Sequence, residues 1–415
     1  MKYKKIEHVN YDLYYYKTDK YKTINITTLL ISDLDEKKIT LDNFLSSYIV
    51  NTSKKYNDEI LMNKKYIDLY NPSFSVYDIY RDHHYKFYDI TFLDELYLEK
   101  GNNKKVIDFY YDSMFNINEK YNKLNKVQTK LIKEQMKTNY ALDEEDPSEK
   151  AYLNSIKLVS DDLPIKINPK GNKKDLYKIN VKESYSYYKN MIKKSKVIVF
   201  VTGNIDDKFL SIIDNNLKDN IYKNDYDIKV TYELSNVNKT KEKIDKTKFN
   251  QSILYLLFKI PNITKKEREV ILPLFNNILG GASSRLFNNV REKNSLAYYA
   301  YSNFFKNYGL LYMYAGINFD NYEKTKIIMQ ETLKDLQKGN FTTEEINNSK
   351  EAILSALLKN EDNIYSLVND MITSVLFKKI DIETYKKQLK TITKKELIEL
   401  SNKFELDVIY LLRGI

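Results

Sequence analysis

Leu279-Gly280-Gly281-Ala282-Ser283-Ser284-Arg285-Leu286-Phe287-Asn288-Asn289-Val290-Arg291-Glu292-Lys293-Asn294-Ser295-Leu296-Ala297-Tyr298 is the stretch that decides the fold. Before it, an apolar helical pattern runs from Lys265 to Leu279 with a kink expected at Pro273. That pattern meets Gly280-Gly281, where glycine permits the left-handed backbone that ends a helix. Ser284 to Glu292 reads as helical again. Leu296 to Phe305 and Gly309 to Ile317 then read as two paired strands.

Working outward, Phe341-Thr342-Thr343-Glu344-Glu345-Ile346 is a helix start. Thr342 can cap, Glu345 can return the bond, and Phe341 can staple to Ile346. Leu406 to Leu412 reads as a closing strand. Upstream, Asn250 to Ile260 is a strand stopped by Pro261. The first half offers the same succession. Strands are expected at Tyr11 to Tyr16, Lys22 to Ile31, Phe74 to Tyr80, Tyr85 to Leu93 and Val197 to Gly203. Helices are expected at Leu41 to Ser53, Lys104 to Asn116, Glu119 to Tyr140 and Lys182 to Lys193, with a break in the acidic segment Leu142 to Ser148 around Pro147. Tyr48 to Tyr77 and Ile278 to Tyr301 can be laid over each other. The expected fold is α+β: two homologous domains, each an antiparallel-rich sheet covered by helices. Their expected limits are residues 1–217 and 249–415, with the charged segment 218–248, which lacks proline and glycine, as linker.

Composition narrows the function classes. Among 415 residues, 42% are hydrophobic and 30% charged, enough apolar content for two cores. The net charge of +10 rests almost wholly on dispersed lysines, with only five arginines. No arginine-rich cluster or base-stacking motif accompanies it, so nucleic-acid binding is not expected. The absence of cysteine excludes disulfides and thiolate metal sites and fits a cytoplasmic setting. The longest apolar runs, such as Ile253 to Phe258, are strand-sized, and neither a signal peptide nor a membrane helix is expected. Abundant Lys, Asn, Ile and Tyr, with no Trp, suggest codon bias in an AT-rich genome.

The quoted stretch resembles the insulinase (pitrilysin) family pattern: a small-residue turn, Ser284-Arg285-Leu286-Phe287, then Arg291-Glu292-Lys293 and Leu296-Ala297-Tyr298. Val197 to Asp206 is similar to the family's strand-Gly-Asn-Ile-Asp step near the end of its first domain. Among bacterial branches, the order resembles the zinc-less partner associated with aminopentanol modification of elongation factor P; a similar pairing serves in maturation of bacteriocin-type peptides.

Active members of that family carry His-x-x-Glu-His on their first long helix. Histidines at i and i+4 face one way and grip zinc, while the glutamate activates the bound water. The resemblance places Asn43 and Ser47 at the histidine positions and Ser46 at the base position. A third-ligand position falls on Gln135, or on Glu134 if the register slips by one. One carboxylate without two imidazoles cannot hold catalytic zinc. No other histidines substitute: His83 and His84, adjacent in a polar turn, read as surface residues that cannot chelate together, and His8 stands apart. Ser46-Ser47 lacks a histidine partner and a nucleophile elbow.

The resemblance does carry over two further residues, Arg291 and Tyr298, which in the family reach from the second half toward a facing zinc site. A guanidinium offers fixed donors to a substrate carbonyl or carboxylate. A phenol can donate to the oxyanion that builds as water attacks a peptide bond. The resemblance therefore implies a subunit inactive alone, with no cofactor of its own, paired with a zinc-bearing His-x-x-Glu-His partner around a chamber for peptides. The alternative is a purely structural subunit in which Arg291 and Tyr298 are relics.

Overall fold

A computed structural model describes residues 3–281 and 284–415; Met1, Lys2, Ala282 and Ser283 lie outside the described residues. The first elements are β1 (Lys4–Glu7), β2 (Tyr11–Lys17), β3 (Thr23–Ser32), α1 (Ile39–Asn51), α2 (Glu59–Asp68), β4 (Ser73–Tyr80) and β5 (His84–Leu93). There follow α3 (Asn102–Phe115), α4 (Lys126–Glu144), α5 (Pro147–Lys157), α6 (Lys173–Lys178), α7 (Val181–Lys194), β6 (Lys196–Gly203) and α8 (Asp207–Leu217). The next are β7 (Lys241–Lys246), β8 (Ser252–Lys259), α9 (Leu272–Gly280), α10 (Arg285–Phe287), β9 (Ala297–Phe305) and β10 (Leu310–Ile317). The last are α11 (Tyr322–Gln337), α12 (Thr343–Asn360), α13 (Ile364–Phe377), α14 (Ile382–Thr391), α15 (Lys394–Ser401) and β11 (Glu405–Arg413).

The chain divides into two units. One comprises residues 1–141, 167–228 and 361–376, the other 142–166, 229–360 and 377–415. Two segments thus join the unit opposite to the one their chain position suggests: α5 belongs to the second unit, and nearly all of α13 to the first.

The first unit's sheet has the order β1-β2-β6-β3-β5-β4, the second unit's β7-β11-β8-β10-β9. β2 runs parallel to β6, as β7 does to β11, and every other pairing is antiparallel. Setting β1 aside, the two orders superpose strand for strand. The expected α+β duplication is therefore what the chain folds into.

One face of the first sheet buries Ile24, Ile26, Leu30, Tyr88, Ile90 and Val199 against Phe44, Leu45 and Tyr48 of α1 and Tyr110 of α3. In the second unit Leu254, Leu256 and Phe258 face Phe275, Leu279 and Leu333, while the alternate residues Ile253, Tyr255 and Leu257 face Ala151, Ile156 and Leu163. β8 is buried on both faces, which is why it reads as an unbroken apolar run. Each such buried side chain contributes roughly 1.5–3 kcal/mol.

Local signals hold at several helix ends. At the start of α12, Thr342 N–H donates to Glu345 Oε2 (2.7 Å) and Glu345 N–H to Thr342 Oγ1 (3.1 Å). Phe341 and Ile346 share one apolar cluster beside it. The break near Pro147 is the start of α5, where the Asp146 carboxylate accepts from Ser148 N–H (2.8 Å) and Glu149 N–H (3.3 Å). Proline at the first helical position loses nothing there. At Pro273 the missing N–H leaves a wider π-helical turn, Glu267–Ile271, immediately before α9.

Two local expectations need correction. Gly281 is not left-handed; its φ of −73° and ψ of −178° are extended. The glycines serve close approach instead. A Cβ on Gly280 would lie 2.3 Å from the backbone nitrogen of Ser302 on β9, and one on Gly281 would lie 2.8 Å from the Asn277 carbonyl oxygen. The charged segment 218–248 is also not wholly irregular, because Lys241–Lys246 forms β7 beside β11. A sheet edge tolerates that run of charge. Among the described residues no helix is long and apolar enough to cross a membrane.

Candidate functional site

In the first unit, α1 follows β3 and turns its apolar residues into the core. Asp42 and Ser46, one helical turn apart, face the β4–β5 hairpin, where Asp78 lies opposite Lys86 and Tyr80 opposite His84. The Asp78 carboxylate is completely buried. Its Oδ2 accepts from Ser46 Oγ (2.6 Å), and its Oδ1 from Lys86 Nζ (2.7 Å), with His84 Nε2 also 2.6 Å from Oδ1. Lys86 Nζ donates further to Ser46 Oγ (2.6 Å) and to the Asp42 carbonyl (3.2 Å). Tyr187 of α7 donates to Asp42 Oδ1 (2.9 Å), and His84 Nδ1 stands 3.8 Å from Asp42 Oδ2.

Burial pushes the Asp42 carboxyl up to about 6, with Lys86 and His84 pulling only partly against it. Burial acts on Asp78 in the same sense, but there Lys86 and His84 outweigh it and hold the carboxyl below the ordinary carboxylate range. The network is thus a charge-compensated clamp between α1 and the hairpin. Breaking one member of such a buried set costs far more than the set contributes as a whole.

The reading of His84 as a surface turn residue is corrected here: it is 1% exposed, because β5 begins at His84 and points it toward α1. His83 faces the other way and has its Nδ1 3.0 Å from Asp82.

The resemblance puts the zinc-site positions at Asn43, Ser46, Ser47 and Gln135. Asn43 spends its amide on the Pro169 carbonyl (2.7 Å), and the Ser47 carbonyl accepts from Asn51 (2.8 Å). Ser46 is held inside the clamp. Gln135 is exposed on α4, and neighbouring Glu134 meets Lys137 (3.4 Å). An amide and two hydroxyls offer neither imidazole nor carboxylate, so the residues at these positions do not fit a catalytic zinc ion. Among the described residues no group of three or more His, Asp or Glu is placed to hold a metal.

In the second unit, Arg291 closes a π-helical turn, Asn288–Glu292. The chain then reverses through Ser295, whose φ is +52° and whose N–H bonds the Arg291 carbonyl (2.8 Å), before entering β9. The Arg291 guanidinium lies over the Phe287 ring at 5.1 Å and only loosely approaches Glu292 (3.9 Å). Arg285, by contrast, is fully engaged, its Nε and Nη2 donating to the two Glu345 carboxylate oxygens at 2.7 and 2.9 Å. Tyr298 falls where β9 slips register against β10: Gly316 pairs with Tyr299 and Ile317 with Ala297, leaving Tyr298 as the extra residue of a bulge. Bulges re-aim side chains. Tyr298 is 65% exposed.

The fold is similar to that of M16-type peptidases. Residues 178–353 match the family model described as the Peptidase M16 inactive domain. The chain is 25% identical over 417 residues to the probable inactive metalloprotease YmfF of Bacillus subtilis (strain 168), covering 96% of this chain and 94% of that one. Its fold is similar to that of a conserved protein from Enterococcus faecalis V583 (TM-score 0.92, 22% identity, 100% of this chain and 99% of that one). It is also similar to that of the peptidase M16 inactive domain from Pseudomonas fluorescens (TM-score 0.82, 14% identity, 100% and 98%). The chain is thus similar in sequence and in fold to M16 (insulinase) family proteins, among them ones described as inactive.

Asp42, Asp78, Lys86 and Tyr187 escaped the reading of the sequence, and His84 was misread. The available signal was the hairpin itself. Asp78, Tyr80, His84 and Lys86 alternate at period two across a short turn, and Asp42 and Ser46 are spaced i, i+4.

Proposed function

We propose that this chain is the zinc-less subunit of a two-subunit M16 peptidase, lending Arg291 and Tyr298 to a partner that carries His-x-x-Glu-His and zinc. The observation that carries the reading is the contrast between the two positions within one chain. The positions that the resemblance gives to zinc hold an amide and hydroxyls, of which Asn43 and Ser46 are bonded elsewhere, whereas Arg291 and Tyr298 stand exposed, joined by a short bonded turn and set by a bulge. Arg291 would orient a substrate carbonyl or carboxylate, and Tyr298 would donate to the developing oxyanion. The purely structural alternative would leave both without a role.

The test is peptidase activity of this chain, of a zinc-bearing M16 subunit from the same genome, and of their mixture. Activity in the mixture alone is expected, falling about 10²-fold with Tyr298→Phe. Cleavage by this chain by itself with added zinc would end the division of labour, and full activity of both Arg291→Ala and Tyr298→Phe mixtures would favour the structural reading.

A further inference from the structure

The second unit's sheet carries an aromatic groove on the face away from α9. α5 covers that face over β8 and β11 and reaches β10 and β9 with single side chains, Tyr152 lying 6.3 Å from Tyr312 and from Phe305, so that an opening remains beside its first turn. The opening, about 500 Å³, is lined by Tyr152, Tyr255, Tyr299, Tyr301, Tyr312 and Tyr314, with Asp146, Ser148, Glu149 and Gln251 at its margin.

Strand register builds the floor. Tyr314 of β10 lies opposite Tyr255 on one side and Tyr301 on the other. Its ring centroid is 5.4 Å from that of Tyr255, 5.9 Å from that of Tyr299, and 6.0 Å from those of Tyr301 and Tyr312. Gly316, next on the same face, makes room for Tyr299, since a Cβ there would sit 2.5 Å from that ring.

Elsewhere this lysine-rich chain places its own cations over tyrosines, as with Lys326 over Tyr322 at 4.7 Å and Lys229 over Tyr232 at 4.6 Å. Among the described residues none stands over Tyr255, Tyr299, Tyr301, Tyr312 or Tyr314. The margin, meanwhile, is acidic. Asp143, Glu144, Glu145, Asp146 and Glu149 cluster where α4 gives way to α5, against the overall charge of +10. Negative charge in the first turn of α5 also offsets the positive end of that helix.

We propose that this groove receives the cationic side chain, arginine or lysine, of an extended peptide. Several ring faces plus nearby carboxylates form a site whose chemistry suits a guanidinium or ammonium. The commitment to a peptide comes from β9. It pairs only with β10 among the described strands, so its outer edge can accept an extended chain, and Tyr299 and Tyr301 on that strand bring the groove to the edge. In taking a peptide as occupant the inference rests on the peptide-processing reading above. Its test uses this chain alone, so its failure leaves the mixing assay untouched.

The probe is a fluorescein-labelled octapeptide alternating arginine and threonine, titrated with the full chain and followed by anisotropy. The same peptide with glutamine for arginine is expected to bind about tenfold more weakly. Asp146→Asn with Glu149→Gln removes the charge while Asn keeps the cap, and should weaken the arginine peptide about fivefold. Tyr314→Leu keeps apolar bulk but removes the central ring face and should weaken it similarly. Arginine amide should compete only at concentrations far above the peptide's, as a side chain without a strand. No binding of the arginine peptide, equal binding of the glutamine peptide, competition by arginine amide at the peptide's own concentration, or an unchanged affinity of the charge-removing double variant would each overturn the proposal.

Discussion

The two units meet one architectural problem with different chemistry. Each packs the helix that follows its central strand against an edge strand: α1 against β4 in the first, α9 against β9 in the second. In the second unit the contact is close and uncharged. Gly280 lets the helix backbone come down on Ser302, and Ser302 Oγ bonds Asn276 (2.8 Å). In the first unit the same layer contact encloses two aspartates, a lysine and a histidine. The charged version lies on α1, the helix that carries Asn43, Ser46 and Ser47. A shared fold constrains where helix and strand meet and leaves open what bonds them.

Breaking the charged contact should have the largest consequence. Asp78→Ala leaves Lys86 and His84 buried without their carboxylate and should cost about 3–5 kcal/mol, read as a lowered urea midpoint. Replacing Ser46, Asp78 and Lys86 together by apolar residues should cost less than Asp78→Ala alone. If it costs more, the clamp is a net stabiliser and the comparison with the second unit must be redrawn.

The uncharged contact should break by overlap. Gly280→Ala puts a methyl 2.3 Å from a backbone nitrogen and should destabilise by about 1–3 kcal/mol. An unchanged midpoint would mean that α9 is free to shift away from β9.

The pH dependence separates the two carboxylates of the clamp. Asp42 has a raised folded pKa of about 6 against an unfolded value near ~3.9, so its contribution favours folding at low pH. That contribution is fully present below pH ~4 and is lost as pH rises through about 6. Asp78, with a lowered folded pKa, contributes in the opposite sense: present above ~4 and lost as pH falls further. Relative to wild type, Asp42→Asn should therefore gain stability between pH ~4 and about 6 in urea titrations, and a flat difference would show that Asp42 is not held neutral. Smallest of all should be Arg291→Ala and Tyr298→Phe, both within about 0.5 kcal/mol of wild type by thermal melting, because exposed side chains contribute little to folding. A larger loss would make them structural.

Much of the fold was legible because its signals are local. Val197–Gly203 and Ile253–Phe258 declare buried strands by unbroken apolar runs, and Thr342–Glu345 declares a helix start by its own capping bonds. Arg291 and Tyr298 came from a spaced motif whose members are close in the chain. What misled was also local. Gly280-Gly281 suggested a left-handed stop, and His83-His84 a surface turn, because neither pattern reveals what the fold brings against it.

The order of strands and helices and their repetition in two halves were determined by the sequence alone, since periodicity and capping belong to short stretches of chain. Tertiary structure alone decided that α5 and most of α13 join the opposite units. It alone gathered Asp42, Asp78, His84, Lys86 and Tyr187 into one buried clamp and aligned six tyrosines in one groove. Those outcomes depend on contacts between residues far apart in the chain, where burial and register, not propensity, set the energy.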